Sequence, residues 1–143
     1  MKIIFDYNRT IFDPDTDDLY LGTLELLQKL SQKYELFLIS RNEPARKNRL
    51  EKLGIQDYFQ KIIFVNEKSQ QIFKEIAGDT RDVIVVGDNI GDEIKIGNQL
   101  GFVTARLRKG RFAEDIPKDK NEIAQFEIAD IGELENILIH YEK

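Results

Sequence analysis

Ile3-Ile4-Phe5-Asp6, near the start of the chain, and Val83-Ile84-Val85-Val86-Gly87-Asp88, far along it, share one pattern: an unbroken apolar run that stops at an aspartate. Short apolar runs without polar alternation read as strands covered on both faces, the condition of strands in a parallel sheet. Leu36-Phe37-Leu38-Ile39, Ile62-Ile63-Phe64-Val65 and the segment Phe102 to Leu107 repeat the pattern, and Phe126 to Ile128 is a shorter version of it.

Amphipathic stretches separate these runs. Leu19, Leu24, Leu27 and Leu30 lie near helical spacing, with Thr16 or Asp17 as N-cap. This reading places Gly22 inside the helix, at about 1 kcal/mol relative to alanine. A second helix has Pro44 in its first turn, Leu50 and Leu53 on one face, and Gly54 where the chain leaves it. A third runs from about Lys68 to Ala77 and a fourth from about Gly91 to Leu100, ended by Gly101. Residues 112 to 125 read as a polar loop, and Leu134, Ile137, Leu138 and Tyr141 mark a final helix. Strand and helix alternate throughout. The expected fold is therefore α/β, a doubly wound, Rossmann-like parallel sheet with helices on both faces, formed by residues 1–143 as one domain.

Composition narrows the function. The hydrophobic share of 41% against 33% charged residues is that of a folded chain rather than a disordered one. With no cysteine and a single histidine, His140, thiolate and imidazole metal sites are excluded, so any metal is a hard ion bound by oxygen. Arg106, Arg108, Lys109 and Arg111 cluster and read as a solvated surface loop, and a net charge of −5 argues against a nucleic-acid partner. Neither a signal-peptide core nor an apolar run of membrane-spanning length is visible, so the expected location is cytoplasmic, with no membrane partner.

In an open parallel sheet, ligands bind beyond the carboxyl ends of the strands. The apolar runs end in Asp6, in Ser40, in Asn66-Glu67-Lys68 and in Gly87-Asp88. Two carboxylates, a hydroxyl and an ammonium on one rim suit phosphoryl transfer, in which a carboxylate is the nucleophile while a divalent cation and fixed donors neutralise the phosphate oxygens. Mg²⁺ takes one or two protein carboxylates plus water and phosphate oxygens, and Asp6 and Asp88 supply them. Ser40, followed by Arg41 and Asn42 at a helix start, offers a hydroxyl and free backbone N–H groups to phosphate. Lys68 competes with Lys74 for the role of the cation, and its place at the head of its helix favours it.

Asp6-Tyr7-Asn8-Arg9-Thr10, then Ser40, then Lys68, then Gly87-Asp88 with Asp92, resembles the four ordered motifs of the haloacid-dehalogenase-like phosphohydrolase family over nearly the whole chain. The resemblance implies that Asp6 forms an aspartyl-phosphate, Ser40 binds phosphate and Lys68 anchors it. It implies that Asp88 binds Mg²⁺, that Asp92 contributes directly or through water, and that Asn8 offers its backbone carbonyl to the metal. It places the family's squiggle and flap between about Tyr7 and Asp18.

Asn8 departs from that pattern. Most phosphatases of the family carry there an aspartate that protonates the leaving group and activates water. A carboxamide exchanges no proton near neutral pH. General acid–base catalysis is commonly worth 10² to 10⁴-fold, roughly 3 to 5 kcal/mol of barrier, so a slow enzyme with a long-lived phospho-Asp6 is expected.

The intervals from Asp6 to Ser40 and from Ser40 to Lys68 each hold about one helical crossover, leaving no room for the family's cap domain. By resemblance, a capless member acts on a large substrate that covers the site, or closes it with another copy in a homo-oligomer. Three readings follow: an Mg²⁺-dependent phosphatase acting on a phosphorylated metabolite or macromolecule, a phosphotransferase or phospho-acceptor that keeps the aspartyl-phosphate, and a non-catalytic module that binds Mg²⁺ and phosphate.

Overall fold

The computed structural model describes residues 1–141. The apolar runs become the strands β1 (Lys2–Asp6), β4 (Glu35–Arg41), β5 (Lys61–Val65), β6 (Val83–Gly87), β7 (Val103–Leu107) and β8 (Phe126–Ile128) of one sheet, and β2 (Phe12–Asp13) with β3 (Asp18–Leu19) forms a small antiparallel hairpin. The main sheet is parallel throughout, in the order β5-β4-β1-β6-β7-β8. From β1 the chain winds outward through β4 and β5, then returns to the other side of β1 for β6, β7 and β8. The crevice where the order reverses lies at the carboxyl end of β1.

Successive side chains of a strand point to opposite faces, and the core divides accordingly. Ile3, Phe5, Leu36, Leu38, Ile84 and Val86 pack on one face, while Ile4, Phe37, Ile39, Val83 and Val85 pack on the other. The first face is covered by α1 (Thr23–Ser31) through Leu26, Leu27 and Leu30, by α2 (Arg46–Leu53) through Leu50, and by α5 (Leu134–Tyr141) through Leu134, Ile137 and Leu138. The second receives Phe73, Ile76 and Ala77 of α3 (Gln70–Ala77) and Ile96 of α4 (Glu93–Gln99). Each fully buried side chain of this size contributes about 1.5–3 kcal/mol. Helices on both faces make the fold the doubly wound α/β architecture expected from the strand–helix alternation.

The structure corrects four local expectations. Leu19 is in β3 rather than in the first helix, and Thr16 and Asp17 form the hairpin turn instead of an N-cap. Gly22 is the N-cap of α1 at φ 86°, a left-handed conformation that glycine enters without penalty, so it carries no interior helix cost. The next helix begins at Arg46, not beside Ser40. Pro44 therefore precedes it, Arg41 is the last residue of β4, and the Asn42 amide donates to the Val65 carbonyl at 2.8 Å instead of standing free. The basic cluster is divided as well. Arg106 is 2% exposed, so the surface-loop reading fails for that residue. Residues 112–125 are irregular apart from short 3₁₀ turns, and Gly54 ends α2 in the left-handed conformation as expected.

After Asp6 the chain makes a tight turn, with the amides of Thr10, Ile11 and Phe12 all donating to the Tyr7 carbonyl, and then enters the β2–β3 hairpin. The Tyr7 ring stacks on Phe12 at 5.0 Å and lies 4.8 Å from the Arg46 guanidinium. Its hydroxyl is buried without a hydrogen-bond partner among the described residues. Burial pushes this phenol up to about 12. The folded chain thus holds a proton that the unfolded chain releases near pH 10, so this contribution to stability is complete below about pH 10 and is lost as pH rises through about 12. Tyr7→Phe removes the unsatisfied hydroxyl and is expected to be neutral or stabilising by up to about 1 kcal/mol near neutral pH. Urea denaturation near pH 8 and near pH 11 checks both effects. A clear destabilisation by Tyr7→Phe near pH 8, or an equal alkaline loss in both proteins, contradicts the account.

Candidate functional site

Because β1 is central, pairing places the ends of three strands side by side. Asp6 closes β1 opposite Ile39 of β4, one residue before Ser40, while Phe5 pairs with Val86, bringing Asp88 to the same rim. Lys68 arrives from the loop between β5 and α3, just before Ser69 caps that helix. Its ammonium donates to Asp6 Oδ1 at 2.8 Å and to Glu93 Oε1 at 3.0 Å, and lies 3.4 Å from Asp92 Oδ2. The Thr10 hydroxyl donates to Asp6 Oδ2 at 3.3 Å. Lys74, on the exposed side of α3, is outside this cluster, so the structure brings Lys68 to the carboxylates.

Glu93 went unnoticed in the sequence. A glutamate in the first turn of a helix ordinarily complements the helix dipole, and that pattern conceals it. Here the side chain is 1% exposed, with one oxygen on Lys68 and the other accepting from the Asn89 amide at 2.9 Å. The available signal was Gly87: a Cβ there would lie 2.2 Å from Glu93 Cγ, so the missing side chain makes room for this carboxylate.

The electrostatics follow from this crowding. Burial, with the charges of Glu93 and Asp6 added, pushes the Asp88 carboxyl well above the ordinary range. Burial and Asp6 push Glu93 up as well, with Lys68 opposing. For Lys68 itself burial works toward deprotonation, but the charges of Glu93 and Asp6 and the hydrogen bond to Asp6 outweigh it and hold the ammonium protonated. Asp6, Asp88, Asp92 and Glu93 outnumber the two cations that form ion pairs within the group, Lys68 and Arg41. Oxygens of Asp6, Asp88 and Glu93 lie within 4.8 Å of one another, and Asp88 Oδ2 is buried without a hydrogen-bond partner among the described residues. An all-oxygen set with surplus negative charge and an unsatisfied buried oxygen fits a hard divalent cation.

Asp6, Asn8, Arg41, Lys68, Asp88 and Asp92 all border one open cavity of about 340 Å³. Asp92 turns toward Arg41, 3.3 Å away, and toward Lys68. Ser40 is fully buried and does not border the cavity; its hydroxyl accepts from Arg46 Nη1 at 3.0 Å and donates to the Arg41 carbonyl at 3.2 Å. Arg46, another residue the sequence did not single out, thus joins Ser40 to the cavity that it borders itself.

The haloacid dehalogenase-like hydrolase family model matches residues 2–106. The chain belongs to that family. A curated relative, the glyceraldehyde 3-phosphate phosphatase of Methanopyrus kandleri, is 28% identical over 89 residues, which cover 56% of this chain and 38% of the relative. The chain thus spans well under half the length of that protein. The fold is shared with a haloacid dehalogenase-like hydrolase of Burkholderia xenovorans LB400, at a TM-score of 0.82 and 13% identity, covering 99% of this chain and 98% of the other. It is shared too with the HAD-hydrolase YfnB of Bacillus subtilis bound to magnesium, at 0.71 and 21% identity, covering 84% and 56%. The D,D-heptose 1,7-bisphosphate phosphatase of B. bronchiseptica, complexed with magnesium and phosphate, aligns at 0.73 and 14% identity, covering 98% of each chain.

Removing the buried cation leaves its carboxylates uncompensated. Lys68→Met is therefore expected to cost about 3–5 kcal/mol of stability near neutral pH. Adding Glu93→Leu should recover part of that loss, because one buried carboxylate goes with it. Urea denaturation of the single and double variants measures both, and additive losses would show that Lys68 and Glu93 are energetically independent.

Proposed function

We propose that the chain is an Mg²⁺-dependent phosphohydrolase that passes the phosphoryl group through Asp6. The observation that carries this reading is the Asp6 carboxylate, held by Lys68 and Thr10 at the edge of a cavity and grouped with the oxygens of Asp88 and Glu93. Asp6, Asp88 and Glu93 would hold the cation, with Asn8 and Asp92 beside them. When bound, Mg²⁺ would supply positive charge against the phosphate oxygens.

The protein's own groups do the rest. Lys68 holds the Asp6 side chain in place, so that an Asp6 oxygen bonds to phosphorus as the ester P–O bond breaks and the alcohol leaves, taking its proton from water. Hydrolysis of the acyl phosphate returns the carboxylate and inorganic phosphate. Ser40 would reach phosphate by turning its hydroxyl away from Arg46, and Arg41 by exchanging Asp92 for a phosphate oxygen. Asn8 borders the cavity as a carboxamide and moves no proton, so the second half-reaction is the slow one. The chain would act as one domain without a cap: the intervals from Asp6 to Ser40 and from Ser40 to Lys68 hold only the hairpin, α1, β4, α2 and β5 with a short 3₁₀ turn. An open site suits a phosphorylated metabolite or a larger phosphoester. Among the described residues no helix is long and apolar enough to cross a membrane.

Mg²⁺-dependent hydrolysis of p-nitrophenyl phosphate by the chain as given, by Asn8→Asp and by Asp6→Asn tests the reading. Slow turnover, acceleration of about 10²-fold or more by Asn8→Asp, and loss of activity in Asp6→Asn are expected. A stable, hydroxylamine-sensitive phosphoryl label without release would instead favour a phospho-acceptor. Binding of beryllofluoride with Mg²⁺ and no turnover in any of the three proteins would favour a binding module.

A further inference from the structure

The cavity has a second basic wall that the proposed chemistry at Asp6 does not use. Arg9, one residue past Asn8, and Arg111, in the loop after β7, border it together with Phe112. The Arg9 guanidinium lies 5.8 Å and the Arg111 guanidinium 5.3 Å from the centre of the Phe112 ring. Neither has a hydrogen-bond or ion-pair partner among the described residues, whereas Arg41 and Arg46, on the same cavity, are paired with Asp92 and Glu43. Two guanidiniums gathered at one ring without a counter-ion are a site for an anion.

The wall is built rather than incidental. Arg106, buried at the end of β7, donates through Nη2 to the carbonyls of Phe112 at 3.0 Å, Ala113 at 3.3 Å and Asp115 at 2.9 Å, and through Nη1 to Glu127 at 3.2 Å. Arg108 donates to the Ala113 carbonyl as well, at 2.9 Å. These bonds fix the loop before any ligand arrives, which removes part of the ordering cost of binding. On the other side Arg9 is held at φ 61°, its amide donating to the Phe12 carbonyl at 2.7 Å. Gly110 leaves room for its stem: a Cβ there would lie 3.0 Å from Arg9 Cδ.

We infer that Arg9 and Arg111 bind a second anionic group of the substrate, so that the preferred phosphoester carries another phosphate or a carboxylate beyond the one presented to Asp6. This deepens the phosphatase reading and rests on it for the reacting end. The cavity is continuous from Asp6 to Arg111, so one small molecule can reach both. The planar donors of the guanidiniums suit carboxylate and phosphate alike.

A matched series tests it: propyl phosphate, its analogue ending in a carboxylate, and propane-1,3-diyl bisphosphate. The readout is the ratio of kcat/KM for each doubly anionic compound to that for propyl phosphate, in the chain as given, in Arg9→Gln, in Arg111→Gln and in the double variant. A ratio of about tenfold or more, falling in each single variant and approaching one in the double, is expected. Which compound leads tells carboxylate from phosphate. A ratio near one in the parent, or one unchanged in the double variant, overturns the inference. Calorimetric binding of the same compounds with Mg²⁺ separates the two readings. If nothing is hydrolysed but the doubly anionic compounds still bind more tightly through Arg9 and Arg111, the anion site stands and the phosphatase reading fails. If nothing is hydrolysed and binding shows no preference, both fail.

Discussion

One buried ammonium, Lys68, holds the candidate site together. Asp6, Glu93 and Asp92 approach it from β1 and from the head of α4, so it joins elements that are remote in sequence. Such a knot of charge is costly to bury, and its cost is met only when each oxygen and each N–H has a partner. Asp88 Oδ2 is the oxygen left over. Stability has been given up at that point, which is the usual relation between a functional site and the fold that carries it.

The sheet was legible because its strands are buried on both faces and therefore nearly continuous in hydrophobicity. Chain alternation and the rule that ligands meet strand ends pointed to Asp6, Ser40, Lys68 and Asp88, and the family resemblance added Asp92. The matched family model covers the same stretch, residues 2–106. The hairpin was not legible. Leu19, Leu24, Leu27 and Leu30 are spaced like a helix face, and nothing in that spacing shows that Leu19 belongs to a strand paired with Phe12. Glu93 and Arg46 escaped for a different reason: charged residues in the first turn of a helix are commonplace, and only tertiary packing shows that one is buried against Gly87 and the other bonded to Ser40.

Arg106 shows the same limit from the opposite side. Four basic residues within six positions look like a solvated loop, yet the first of them points into the protein and fastens the loop from within. Net charge along a sequence does not reveal which cations are spent on carbonyls and which remain for a ligand. Here Arg106, near the end of β7 and bonded to carbonyls of the following loop, and Arg111, on that loop and without an ion-pair partner among the described residues, are five residues apart.

The parallel pairing of β1 with both β4 and β6 has a consequence for how the protein comes into being. Lys2 is registered against Glu35 on one side and Val83 on the other. A ribosome has therefore to deliver more than half of the chain before the strand ending in Asp6 acquires its second neighbour, and until then one whole edge of that apolar strand is open to pairing with another molecule. The nascent chain is most exposed to aggregation in that interval, and β6, which closes it, is also the strand that brings Asp88 to Asp6.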